Sequence, residues 1–275
     1  MLTEYLKTSP LRIHNEKKFS PVGLVRLAIT IVMIIAVVLY LKLELSYDSF
    51  DGKEDRIYRV IVEGNLNGKT SQTALTPATL GPFLERRSPQ VERVARLYAP
   101  AALTSMGRPD LRFGRNSLRA GRFIFVDPTF LEMFSLEMTA GNLKTALDSP
   151  FAAVLSVSAA EKLFGSRDPL GKTLIYGNRF HFTVTGVVKD PSVYATIGFD
   201  CLGSMSSLPD LTGDSDVVTS GRKFNFYTFT LLKTNAGFDE TQERIRDEVS
   251  GFWDPAVRDM AGNPTIDLEP FRDHH

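Results

Sequence analysis

The stretch whose residue types and spacing come closest to known chemistry is Gly165-Ser-Arg-Asp-Pro-Leu-Gly171-Lys172-Thr173, which ends as a phosphate-binding loop ends. Such a loop holds an anion on its amides and on the N-terminus of the helix that follows it. Two features exclude that reading. Five residues separate the two glycines, where the motif has about four. The flanking pattern is also reversed, with a helix before the segment and a strand, Thr173 to Tyr176, after it. A helix C-cap, a Pro turn and a strand start are expected instead.

The other reactive side chains stand apart from one another. His181 alternates with apolar neighbours on a predicted strand and faces solvent in that pattern. His274 and His275 are the last two residues. Cys201 has an apolar neighbour and no base in its sequence surroundings, which makes a buried, inert thiol the expectation. As the single cysteine it excludes an intrachain disulfide and a cysteine-based zinc cage. Asp127, Asp168 and Asp190 each precede a proline and read as turn or cap residues. Neither a Gly-x-Ser-x-Gly elbow nor a His-Glu-x-x-His pair occurs. No catalytic, cofactor-binding or metal-ligating residue is therefore assigned, and no enzyme activity is expected. Lys+Arg and Asp+Glu both total 32, so bulk charge gives no reason to expect nucleic acid as a partner.

The element with the clearest physical consequence is Val22 to Leu41. Thirteen of these 20 residues are Leu, Ile or Val, and the single charge, Arg26, lies near one end. As a helix the run reaches about 30 Å, the thickness of a bilayer's hydrocarbon. Its Leu, Ile and Val content favours insertion by roughly 4 to 8 kcal/mol as an upper bound, against about 3 for an arginine at the midplane. Arg26 can also extend its side chain to the headgroups. The run exits into Tyr40-Leu-Lys-Leu-Glu-Leu45 without small residues at cleavage positions, so an uncleaved anchor is expected rather than a signal peptide. Lys7, Arg12, Lys17, Lys18 and Arg26 precede or open the span, whereas Lys42, Lys53, Arg56 and Arg59 follow it. That bias points to a cytoplasmic N-terminus.

Beyond the span, β-type and helical patterns alternate. Strands are predicted over Arg56–Val62, Val91–Tyr98, Phe123–Val126, Ala152–Leu155 and Phe224–Leu232, and at Phe180, Phe182 and Val184, which should share one buried face. Thr76-Pro77 and Asp127-Pro128 predict helix starts. Ser158-Ala-Ala-Glu161 has capping-box spacing, with Gly165 ending that helix. An amphipathic helix is expected over Phe238–Phe252 with Ile245 and Val249 inward, and Ser204–Arg222 reads as a surface loop.

The order of several short motifs then resembles a family. They are Glu44-Leu-Ser-Tyr-Asp-Ser-Phe50, Asp55-Arg-Ile-Tyr-Arg-Val60, Val126-Asp-Pro-Thr-Phe-Leu-Glu-Met-Phe134 and Gly141 with Ala146-Leu147. Next come Val154-Leu-Ser156, Ala160-Glu-Lys-Leu-Phe-Gly165, Asp168-Pro-Leu-Gly-Lys172 and Val184-Thr-Gly-Val187, and late in the chain Leu268-Glu-Pro-Phe-Arg-Asp273. The succession resembles the MacB/FtsX-like ABC transporter permeases, in the form common in Bacteroidetes-type bacteria.

The resemblance implies an α+β architecture: a cytoplasmic tail over 1–20, a transmembrane helix over 21–42 and a MacB-like periplasmic core domain over 43–275. That domain would have a porter-like part and a smaller inserted subdomain near 100–195. It also implies the N-terminal half of an ABC permease of the cell inner membrane, working as a homodimer with a cytoplasmic ABC ATPase subunit and a periplasmic adaptor protein, in contact with membrane lipid. The sequence stops before helices two to four of that pattern, so it is expected to be either a piece of a longer permease or a fragmentary gene product. Pro10 interrupts the amphipathic helix that such proteins often place ahead of the first span. The alternative is a single-pass membrane-anchored sensor or ligand-binding module, with an anchored enzyme ranked third.

Overall fold

The computed structural model describes residues 21–44, 53–66, 69–100, 110–119, 122–191 and 197–271. The chain divides into two compact units, Met1–Tyr47 and Asp48–His275.

The first unit contains helix α1, Pro21–Glu44, 24 residues long. Its backbone measures about 36 Å at the α-helical rise. Thr30, a polar residue in its apolar run, donates its hydroxyl to the Arg26 carbonyl at 2.9 Å, which satisfies that hydroxyl within the helix. Val25 to Leu39, the unbroken stretch of α1 with described side chains, is exposed throughout. Among the described residues no helix is long and apolar enough to cross a membrane.

In the second unit hydrogen bonding links fourteen strands. They are β1 (Ile57–Leu66), β2 (Lys69–Thr73), β3 (Leu75–Pro77), β4 (Val91–Tyr98), β5 (Asp110–Phe113), β6 (Asn116–Arg119) and β7 (Phe123–Val126), then β8 (Met138–Gly141), β9 (Ala152–Ser156), β10 (Thr173–Tyr176), β11 (Phe180–Val188), β12 (Cys201–Ser204), β13 (Phe224–Leu232) and β14 (Thr265–Pro270). The path runs β14-β1-β13-β4-β7-β12-β9-β11-β10-β5-β6, with β2 on β1, β3 on β13 and β8 on β11. Pairing is antiparallel except β7 with β12 and β9 with β11. Among the described residues six helices accompany them: α2 (Leu80–Arg87), α3 (Thr129–Met133), α4 (Val157–Phe164), α5 (Leu208–Thr212), α6 (Phe238–Val249) and α7 (Pro255–Ala261).

Burial of large apolar side chains holds this path together, each contributing roughly 1.5 to 3 kcal/mol on leaving water. At the β14 end, Ile245, Val249 and Trp253 pack on Val60, Val94 and Leu268. A middle cluster centres on Phe130, Phe134, Phe229 and Phe271. Toward the β6 end, Phe123, Phe125, Tyr176 and Phe182 meet edge to face or stacked. Along β11, Phe182 and Val184 are buried while His181 and Thr183 are exposed, as the alternation requires. In α6, Ile245 and Val249 are buried and Glu240, Glu243 and Arg244 are exposed, with the helix ending at Val249.

Five local expectations are corrected. Thr76-Pro77 does not start a helix; it lies in β3, where the buried Thr76 hydroxyl bonds the Phe226 carbonyl and the Thr228 hydroxyl, and α2 starts at Leu80. The side chain of Asp127 does not cap α3, because Arg96 takes both its carboxylate oxygens. The cap of α4 is Ser156, whose hydroxyl accepts the Ala159 N–H at 3.3 Å, and not Ser158. The loop at 204–222 is anchored rather than superficial, since Met205, Leu208 and Val217 enter the core and α5 forms within it. In each case a partner distant in sequence outcompeted the local pattern. Arg56 belongs to a short 3-10 turn before β1 instead of the strand.

Candidate functional site

The segment that ends like a phosphate loop runs from the C-terminus of α4 to the start of β10. Gly165 takes φ 63° as the C-cap, and its N–H donates to the Glu161 carbonyl at 2.8 Å. The Asp168 carboxylate accepts the Leu170 N–H at 3.0 Å, an Asx turn. No helix N-terminus faces this loop from its own C-terminal side, so the geometry of a phosphate cradle is absent from the segment.

The reactive side chains singled out above are not brought together. His181 is exposed on β11. Cys201 is fully buried on β12, and burial, reinforced by the Asp200 charge, pushes its thiol well above the ordinary range. His274 and His275 lie outside the described residues. Asp190, just past β11, accepts both the N–H (2.9 Å) and the hydroxyl (2.8 Å) of Ser158 at the start of α4. Partial burial raises its pKa, but the Ser158 and Ser156 hydrogen bonds and the Lys162 charge outweigh that and hold it below the ordinary carboxylate range. Rather than closing a local turn, it accepts from the first turn of α4, beside the cap residue Ser156, across 32 positions of sequence. Among the described residues no three of His, Cys, Asp and Glu gather where they could hold a metal ion.

The polar centre that the fold does build was not legible in the motifs. Arg96 projects from β4 and meets Asp127 at the end of β7, with side chains 13% and 18% exposed. Its Nε donates to Oδ2 at 2.9 Å and its Nη2 to Oδ1 at 2.9 Å, a bidentate fork. The Arg96 backbone N–H adds a third bond to Oδ2 at 2.8 Å, and the Asp127 N–H returns one to the Arg96 carbonyl. Nη1 donates to the carbonyls of Ala78 at 2.8 Å and Val218 at 3.1 Å, and the guanidinium lies 5.7 Å from the centre of the Phe226 ring. One side chain thus ties β4 and β7 to the β3–α2 connection and to the segment after α5. A cavity of about 240 Å³ opens beside it, walled by Asp148, Ser204, Ser206 and Met205 as well as the pair. A second cavity of about 290 Å³, lined by Leu97, Ile124, Tyr227 and Phe229 with Arg59 present, is largely apolar.

A carboxylate with both oxygens held in one guanidinium fork is poorly placed to pass protons; its physical effect is to fix two strands in register. The available signal was an arginine among the apolar residues of the second half of β4, Val94-Ala95-Arg96-Leu97-Tyr98.

Residues 25–248 match the family model of the MacB-like periplasmic core domain. The chain belongs to that family. Its fold is shared by solved structures of the same kind. A domain of a protein described as a permease, from Porphyromonas gingivalis, superposes with a TM-score of 0.68 at 21% identity, covering 80% of this chain and 91% of that one. The periplasmic region of MacB from Actinobacillus actinomycetemcomitans gives 0.52 at 15% identity, covering 77% and 88%. The extracellular domain of the noncanonic ABC-type transporter YknZ from Gram-positive bacteria gives 0.53 at 15%, covering 77% and 99%. No curated protein matches the chain. Membership of the MacB-like family makes this chain a transporter-permease component. The motifs at 126–134, 154–165 and 184–187 fall on β7–α3, β9–α4 and β11 of this domain.

Proposed function

We propose that this chain is the N-terminal half of a non-catalytic ABC permease subunit, anchored by α1 in the cell inner membrane with its N-terminus cytoplasmic and its sheet domain periplasmic. The observation that carries this reading is that the family match begins inside α1, at residue 25, and continues through the sheet domain to residue 248. The Val22 to Leu41 run supports the anchor on hydrophobic grounds. In this reading the outer domain passes ATP-driven movement from a cytoplasmic ATPase to periplasmic cargo or an adaptor, within a homodimer in contact with lipid.

The strand path supports such a role physically. A load entering at β1 reaches β6 through hydrogen-bonded neighbours alone. Displacement of packed elements as rigid bodies is a standard route for transmitting conformational change. Residues near 100–195 would form the inserted subdomain, joined to the remainder through β7, which pairs with β4 and β12, and through β9, which pairs with β12.

The test is a flexible Gly/Ser insertion between Leu43 and Tyr47 in the full-length permease. Coupled transport should be lost while ATP hydrolysis persists, and undiminished coupled transport would refute force transmission. Anchoring is checked separately: the full-length protein should remain in the membrane pellet after an alkaline carbonate wash, and release into the supernatant would exclude a span.

A further inference from the structure

We propose that the open edge of the sheet at β6, with the arginines around it, docks an extended acidic segment of a partner protein. The chain's charges balance at 32 of each sign, but they are not evenly placed. Residues 110–119 and 165–180 carry Arg112, Arg115, Arg119, Arg167, Lys172 and Arg179 against Asp110 and Asp168, six cations to two carboxylates. All six cations are exposed.

The fold brings these two segments to one end of the sheet. β5 pairs with β6 and with β10, so that His181, Ile175, Arg112 and Ser117 stand side by side across four strands. Arg119 lies opposite Asp110. The Arg167 guanidinium rests 5.4 Å from the centre of the Phe113 ring, and Arg179 rests 4.9 Å from that of Phe180. Among the described residues no carboxylate is within ion-pair distance of Arg115, Arg119, Arg167, Lys172 or Arg179. Asp110 is already paired with Arg112 at 3.6 Å, and Asp168 is turned into its own loop.

β6 closes the strand order, and among the described residues no strand pairs with its outer side. The other face of the hairpin is covered: the Phe113 ring lies 4.2 Å from that of Phe164 of α4, tilted against it, and Asn116 Nδ2 donates to the Leu163 carbonyl at 2.7 Å. An exposed edge accepts an extended chain by backbone pairing, and alternate side chains of that chain then meet what flanks the edge. Here the flank offers planar guanidinium forks, which match carboxylates in bidentate geometry. Stacking on aromatic rings holds two of the forks in place before binding, which lowers the ordering cost. Charge on a strand edge also discourages unspecific pairing, but that purpose needs charge only on the strand, whereas here it extends onto the adjoining turns.

This inference adds partner chemistry to the permease reading and is tested without the ATPase, so the two can fail separately. The probe is a fluorescent peptide of about ten alternating Glu and Thr residues, titrated against the full chain in detergent at low and at physiological salt. Binding should weaken with salt. Arg115→Glu with Arg119→Glu should lower affinity about tenfold or more, and the Gln versions of both should fall between. Lys69→Glu with Lys233→Glu, an equal charge change at exposed sites elsewhere, should leave it unchanged. Circular dichroism spectra identical to the parent establish that each variant is folded. Absence of peptide binding, an equal loss in both Glu double variants, or binding of heparin or phosphatidylglycerol vesicles where the peptide fails would each overturn the proposal.

Discussion

Gly141 of β8 and Gly186 of β11 face each other across an antiparallel pair, and backbone closes the space beside Gly141, whereas only the mobile end of Met138 stands close to Gly186. Gly141 sits at φ 92°, and a Cβ there would run into the Thr185 carbonyl and come within 2.8 Å of the Gly186 Cα. Both obstacles are backbone, which cannot rotate aside. Gly141→Ala should therefore cost about 2 to 4 kcal/mol, combining left-handed strain with overpacking. Urea unfolding of the domain measures this, and a loss below about 0.5 kcal/mol, the range of neutral surface changes, would show that the two strands can separate freely.

The Arg96–Asp127 pair predicts a non-additive pattern. Asp127→Ala leaves a guanidinium largely out of water with its charge unpaired, a change that costs about 3 to 5 kcal/mol. Replacing both partners, Arg96→Met with Asp127→Leu, should recover a large part of that loss, because no buried charge remains. A double variant as unstable as the sum of the singles would remove the pair from its place as a node.

Asp190 gives a pH signature. Its folded pKa lies below the ordinary 3.8, so its contribution is complete above that value and disappears as pH falls through the lowered folded one. Asp190→Asn should lower stability by about 0.3 to 1 kcal/mol at neutral pH, the worth of a negative charge beside a helix N-terminus. The gap between the two proteins should begin to close as the pH drops below 3.8 and vanish below the lowered folded value. Denaturation series at neutral and acid pH decide it; a constant gap between them would mean that the Ser158 contacts do not depend on charge.

Cys201 has no accessible surface, and its thiol is raised by burial, so both access and thiolate fraction oppose its reaction. A thiol reagent should label the native domain only as fast as the core opens, with labelling and unfolding rates changing together as urea is added. Prompt stoichiometric labelling in the absence of denaturant would place the sulfur at the surface.

Much of the element pattern could be read along the chain because it is local. β4, β7 and β13 run over Val91–Tyr98, Phe123–Val126 and Phe224–Leu232 as the apolar runs predict, and Gly165 ends its helix as a glycine C-cap should. The misreadings share one cause. Thr76, Asp127 and Ser158 each carry a side chain suited to a helix start, and each instead bonds a group 31 to 152 positions away. Such a partner leaves no trace in neighbouring spacing.

The linear order of residues determined the apolar helix near the N-terminus, the alternation of buried and exposed positions and the absence of any motif for catalysis, because each depends only on periodicity over a few turns or on which residue types occur. Tertiary structure alone decided that Arg96 would hold Asp127, that two glycines would meet across a strand pair, and that two stretches of modest charge would combine into one basic edge. Those outcomes depend on which distant segments the core brings within a few ångströms, and hydrophobic burial selects them through the whole chain at once.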